Sequence, residues 1–254
     1  MSELSKKTGN PAIPDFFIKN EKYTEQIIKF IKNKIPKDMP FSVDIIEPQI
    51  KTKTLELLDD YDLLYKTIYN SINIGITEKE RKTLSRHTPK IAIVVAFNPK
   101  DKSPDGKIEV LENGAHLIDK GLLEITENLG ITKILVDTAA MAPGDYSGGA
   151  IAGIPLIKEE YGLPTGCAIH NVVEKSNWLD ENFSNDSKKV VDAASNINIP
   201  LFGGDFVIYG PSFNSDHVFP IIAWEDILIS EYSERYFGIK PSDIHPRRKI
   251  FGRK

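Results

Sequence analysis

The feature that most limits how this chain can fold is a rhythm. Seven short apolar runs recur, each followed by a stretch of helical periodicity. The runs are "AIPDFFI" from Ala12, "FSVDII" from Phe41, "KTIYNSI" from Lys66, "IAIVVAF" from Ile91, "TKILVDTA" from Thr132, "TGCAIHN" from Thr165 and "DFVIYGP" from Asp205. Their starts lie roughly 25 to 40 residues apart, the length of one strand–helix unit. Between them, "EKYTEQIIKFIKNKI" places Tyr23, Ile27, Ile28, Ile31 and Ile35 on one stripe at a period of 3.6. "NGAHLIDKGLLEITENLG" and "GAIAGIPLIKEEYG" read as helices that stop at Gly130 and Gly162, as glycine C-terminal caps do. "HVFPIIAWEDILISEYSERYFG" is a last long helix with Pro220 near its first turn.

Such alternation predicts a parallel sheet covered by helices, hence an α/β chain. Seven units with no long sheet-reversing connection favour a TIM-barrel-like (β/α) fold over an open doubly wound sheet. The strand ends agree. Asp44, Asn70, Asn98, Asp137, Asn171 and Asn214 fall at or just after the C-terminal ends of the runs. One Asp there is ordinarily a helix N-cap. Six are harder to dismiss, because Asn and Asp are depleted from strands. In a barrel those ends converge on one rim, where sites are built. A closed barrel has eight strands and seven are legible, and the region before Ala12 is too short to hold another strand–helix unit. The expected organisation is a single barrel domain over residues 1–237 and a basic tail over 238–254, "KPSDIHPRRKIFGRK" in its main part, reaching into solvent.

Charge and composition narrow the function. The 254 residues are 41% hydrophobic and carry a net charge of -4, enough for a sizeable core and without a nucleic-acid footprint. "IAIVVAF" is too short to span a bilayer, so no direct membrane insertion is expected. "MSELSKKTGN" has no apolar segment of a signal peptide. The single cysteine, Cys167, cannot form an internal disulfide, which fits a reducing cytoplasm, and in its apolar run it reads as a small core residue. The five histidines include no i,i+4 pair, so a metal site from local motifs is not expected. "YSGGAIAG" lacks the order of a P-loop or a dinucleotide fold and reads as a loop and close helix packing. "DIHPRR" begins like the D-x-H-x-x-G of corrinoid-binding modules but lacks the glycine.

The order of several motifs is more specific than any one of them. "SKKTGNP", "YNSIN", "VAFNPKD", "KGLLEITENLGITKILVDTA", "YGLPTGCAIHN" and "DFVIYGP…VFP" together resemble the MtrH family of tetrahydromethanopterin S-methyltransferase and its relatives, from about Ser5 to about Phe251. The resemblance implies a methyltransferase subunit that moves a methyl group between N5 of a tetrahydropterin and cobalt. The pterin is tetrahydromethanopterin or tetrahydrofolate, and the cobalt belongs to a corrinoid (cobalamin) on a partner protein. It also implies a cytoplasmic chain, either peripheral to a membrane-bound methyltransferase complex or free-standing, for example as a homodimer. Members of the family begin with a further segment carrying the first barrel strand, and this chain starts at the segment leading into the second. A fragment or mis-started reading frame, a strand supplied by a neighbouring chain, and an open seven-stranded fold are the alternatives.

In the related methyl-folate:corrinoid transferases an Asp, an Asn and another Asp from successive strand ends hold the pterin, and a further Asn approaches N5. By motif order those positions resemble Asp44, Asn70, Asp137 and Asn171, although "FSVDIIEP" lacks the hydroxyl residue that usually follows this Asp. The chemistry suits them. A carboxylate accepts two parallel N–H bonds from the amidine-like edge of a pterin, and a carboxamide serves mixed donor and acceptor positions. A neutral amide at Asn171 can donate to N5 without a perturbed pKa. His170, one residue earlier, should face the other side of the strand and cap the core, with a ligand role as the alternative. Asp15, in "IPDFF", is a further substrate-binding candidate. Two competing readings are a catalytically degenerate scaffold subunit and a generic barrel lyase, though the latter needs a Schiff-base Lys or a metal cluster that the strand ends do not offer.

Overall fold

A computed structural model describes residues 1–252 of the chain. The residues form two compact units, Ile13–Asp137 and a discontinuous one made of Met1–Ala12 with the chain from Thr138 onward. Helix α1 (Ser2–Thr8) opens the discontinuous unit. The continuous unit then runs β1 (Asp15–Phe17), α2 (Glu21–Lys34), β2 (Phe41–Asp44), α3 (Pro48–Asp60), β3 (Thr67–Ile72), α4 (Glu78–Arg86), β4 (Ile91–Val95), α5 (Pro104–Glu112), α6 (Leu122–Asn128) and β5 (Lys133–Asp137). Its strands pair in chain order and all parallel.

Local chemistry explains the helix starts. The Asn20 side chain accepts from Lys22 N at the head of α2, Thr77 from Glu80 N at α4 and Ser103 from Gly106 N at α5. Each such cap satisfies one otherwise orphaned N–H and contributes about 1 kcal/mol. Ile28 and Ile31 of α2 pack with Phe41 and Val43 of β2 and Ile50 and Leu58 of α3 in one buried cluster. Each fully buried Ile or Leu contributes about 1.5–3 kcal/mol relative to exposure. Tyr23, expected on the same stripe, is exposed.

The single helix expected over 113–130 is broken. Gly114, Ala115 and His116 all have positive φ, and only Leu122–Asn128 is regular α6. At Gly121 a Cβ would sit 2.1 Å from Glu112 O, so only glycine lets the chain turn back this closely.

The discontinuous unit continues with α7 (Gly148–Tyr161), β6 (Thr165–Cys167), α8 (His170–Glu174), α9 (Asn177–Asn182), α10 (Asn185–Ser195), α11 (Asn198–Leu201), β7 (Phe206–Val207), α12 (Ser215–Phe237) and α13 (Pro246–Phe251). Strand β6 pairs parallel with β7, with Gly166 opposite Phe206. Cys167 lies in the core with Ala150, Ile154, Ile169 and Ile199. Helix α7 ends on Gly162 in the left-handed conformation, as expected from its sequence. The tail differs from a solvated arm. Helix α13 packs on α1 and α12, Pro246 is buried, and Arg247 Nη1 lies 2.7 Å from Glu234 Oε2. Arg253 and Lys254 lie outside the described residues.

Among the described residues, seven parallel strands alternating with helices, numbered in the order of the sheet, put the chain in the α/β class, TIM-barrel-like with one unit fewer than eight. Among the described residues no helix is long and apolar enough to cross a membrane.

Candidate functional site

Register decides which side chains share a face. Across a parallel pair, aligned residues point the same way, and along a strand every second residue does. Asp15 aligns with Ser42, Asp44 with Asn70, Asn70 with Ile93, and Val95 with Asp137. Asp15, Ser42, Asp44, Asn70 and Asp137 therefore share one face of the five-stranded sheet. Phe16, Phe41, Val43 and Tyr69 point to the other face, where the helices lie. Past Asn70 the ladder with β4 shifts by one residue, and the Asn70–Ser71 peptide is cis.

Three carboxyl groups on one face affect one another. Burial, foremost, pushes Asp44 up to about 6. The charges of Asp15 and Asp137 add to the shift, and the Lys51 ammonium opposes it. Asp15 is also raised by the protein atoms crowding it, although it keeps contact with solvent. The Ser42 and Asn70 side chains beside it work in the opposite direction. Asp137 is buried at the end of β5, where its carbonyl accepts from Ala96 N at 2.8 Å. Among the described residues no donor reaches the Asp44 carboxylate in hydrogen-bonding geometry. The Ser42 hydroxyl is buried without a hydrogen bond of full geometry. The face thus gathers three carboxyl groups, of which Asp44 has no donor among the described residues.

A stability effect follows with a definite sign. The folded-state pKa of Asp44 lies above the ordinary 3.8, so the folded chain holds this proton more tightly than the unfolded chain does. Stability is lost as pH rises from about 4 towards 6, and the loss is complete above that window. Asp44→Asn removes it. The variant should be more stable than the parent by about 1–2 kcal/mol at pH 8, a figure reduced from the full shift by partial solvation. At pH 4 the two should melt together. Thermal melts at both pH values check this, and an equal gain at both would refute it.

His170 and Asn171 belong to the other unit, and there the expectation of a strand end needs correction. Strand β6 stops at Cys167, and His170 and Asn171 form the first turn of α8. They do not alternate across a sheet. His170 Nδ1 lies 2.9 Å from Asp192 Oδ1, whose other oxygen accepts from Asn214 Nδ2 at 2.6 Å. The Asp192 hydrogen bond raises the His170 pKa, against an opposing effect of burial. Gly210 (φ +80°) seats this ring, since a Cβ there would lie 2.3 Å from His170 Cδ2. Asn171 itself is half-buried. On the same helix, Val172 and Val173 help line an apolar pocket of ≈ 310 Å³ with Trp178, Leu179 and Phe183.

Two of the six polar strand ends have structural duties. Asn98 is buried, its Oδ1 accepting from Lys100 N and Asp101 N while its Nδ2 donates to Gly106 O. Asn214 serves Asp192 as described. Sequence reasoning missed Lys51, Tyr69 and Glu80, which meet behind the face. Lys51 sits in "PQIKTKTLELL", a stretch with the look of an ordinary surface helix, so no local signal could have found it.

The fold and this face define a TIM-barrel-like α/β chain that collects carboxylates and a carboxamide at its strand ends. Among the described residues no group of three or more His, Cys, Asp or Glu is arranged to hold a metal ion. The chain belongs to the family of the tetrahydromethanopterin S-methyltransferase MtrH subunit, a methyltransferase family whose model matches residues 1–242. It is 36% identical over 251 residues to the MtrH protein of tetrahydromethanopterin S-methyltransferase from Methanothermobacter thermautotrophicus, covering 98% of this chain and 80% of that one. The corresponding protein from Methanothermobacter marburgensis is 35% identical with the same coverage. That from Methanocaldococcus jannaschii is 32% identical over 260 residues, covering 98% of this chain and 81% of the relative.

Proposed function

We propose that the chain is a methyltransferase subunit acting on a tetrahydropterin, tetrahydromethanopterin before tetrahydrofolate, with a corrinoid protein as its partner. The observation that carries this reading is the gathering of three carboxyl groups on the sheet face, with Asp44 lacking a donor among the described residues, beside a carboxamide and a buried hydroxyl. A pterin offers such a face N–H donors in a row along one ring edge. Asp137 and Asp44 accept them, and Asn70 serves an edge position that needs both a donor and an acceptor. Asp15 supports the set from β1. The names of the relatives favour tetrahydromethanopterin.

The chemistry asks little of protein nucleophiles. A methyl group on N5 leaves an amine poorly unless N5 gains a proton or a hydrogen bond as the N–CH₃ bond breaks. The reduced cobalt of a partner corrinoid supplies the nucleophile for the methyl carbon. What remains for this chain is to hold the ring in line and to stabilise charge at N5. Motif order assigns the N5 contact to Asn171, whose carboxamide can donate a hydrogen bond without itself titrating. His170, anchored to Asp192, holds the first turn of α8 and acts as support for its neighbour. In the cell the chain would dock with a corrinoid protein, within a membrane-associated methyltransferase complex or as a free-standing dimer.

The direct test is a titration of the purified chain with tetrahydromethanopterin and tetrahydrofolate, followed by fluorescence or calorimetry. Saturable binding of either is expected, weakening as pH falls through about 6 because Asp44 must be ionised to accept N–H bonds. No binding at millimolar ligand would overturn the reading in favour of a non-catalytic scaffold.

A further inference from the structure

Helix α3 buries a lysine that its sequence marks as a surface residue. Lys51 is 3% exposed, and its Nζ donates to Ser71 O at 3.0 Å and to Glu80 Oε1 at 2.9 Å. Glu80, on α4 and 1% exposed, also accepts from Tyr69 Oη at 2.7 Å, and the ammonium lies 5.5 Å from the Tyr69 ring centroid. The second Glu80 oxygen is buried without a hydrogen-bond partner. An ion pair withdrawn this far from water breaks even at best against apolar side chains of the same size. Its place in the unit gives it another use. Ser71 directly follows Asn70, so the bond to its carbonyl ties the segment carrying the carboxamide to α3 and α4. The charged groups that act on Asp44 are Asp15 from β1, Asp137 from β5 and Lys51 from α3. Among the described residues, the lysine is the cation of that set.

We propose that Lys51 is a positioning residue for this face: it clamps the Asn70–Ser71 segment to the helix layer, and its ammonium counterbalances the negative charge of Asp44. Glu80 tunes that charge from behind, and Tyr69 fixes the Glu80 carboxylate. Only the catalytic consequence rests on the pterin-binding reading, because the clamp itself is a property of the ligand-free chain.

The test is the titration of the Asp44 carboxyl in the full, ligand-free chain, followed by carbon NMR of labelled aspartate. Lys51→Met removes the cation, so the midpoint should move up by about one pH unit. Glu80→Gln leaves the cation with one opposing charge fewer, so the midpoint should move down. Tyr69→Phe changes no charge and should leave it in place, as should Lys51→Arg. A purely structural pair would lower the melting temperature of each variant and leave the midpoint where it was. That result, or shifts of the same sign for Lys51→Met and Glu80→Gln, overturns the proposal. If Lys51→Met does not fold, the downward shift in Glu80→Gln decides alone. Opposite shifts in a chain that binds no pterin would uphold the clamp and overturn the functional reading only.

Discussion

Asn171→Ala should lower the rate of methyl transfer by about 10²- to 10³-fold, the usual cost of deleting one hydrogen-bond donor aimed at developing charge. Pterin affinity should change little, because the contact to N5 matters most as the N–CH₃ bond breaks and little before it. The fold should survive. Asn171 is half-buried in the first turn of a five-residue helix, and neighbouring His170 stays tied to Asp192. Single-turnover rates with a corrinoid partner, beside a pterin titration and a melt, separate these quantities. Unchanged turnover in a folded variant would remove Asn171 from the mechanism. A matched loss in affinity and rate would make it a binding residue instead.

Asp137→Ala should act on the other quantity. A buried carboxylate accepting two N–H bonds makes charge-assisted contacts of about 1.5–3 kcal/mol each, so the loss should be about 3 kcal/mol, or ~100-fold in pterin Kd. The chemical step should slow much less once the site is saturated. Asp137→Asn keeps one acceptor oxygen and should fall between the two. There is an internal check. Removing Asp137 removes one of the negative charges that push Asp44 up, so the Asp44 carboxyl should titrate lower in the variant. Equal pterin affinity in parent and Asp137→Ala would contradict the assignment, and the Asp44 titration would show whether the side chain still mattered to the face.

Much of this fold is legible in the sequence. All seven strands are, because β-branched and apolar runs such as "IAIVVAF" leave few alternatives to a buried strand. Asp44, Asn70 and Asp137 stand out in the sequence as polar residues at strand ends, whereas their common face comes from the strand register. Other features escaped for identifiable reasons. Apolar spacing continues smoothly through "NGAHLIDKGLLEITENLG", while three successive positive φ values break the backbone there, and periodicity does not register φ. The sixth strand looked longer than it is because Ala168 and Ile169 are apolar in either a strand or the approach to a helix. Asn98 had the same signature as Asn70, yet its carboxamide is consumed by Lys100 N, Asp101 N and Gly106 O. The Lys51, Tyr69 and Glu80 cluster draws one residue from each of three elements, so no window of sequence contains it.

The crowded carboxyl face has a consequence for the bookkeeping of protons. Near pH 6 the ligand-free chain keeps a fractional proton at Asp44. A ligand that arrives with its own N–H donors makes that proton redundant, and the carboxylate gives it up to solvent as the ring settles. Uptake of a pterin whose ring is uncharged would then acidify an unbuffered solution. Its apparent heat would depend on the ionisation enthalpy of the buffer, so that the protein announces its ligand as a weak acid does its base.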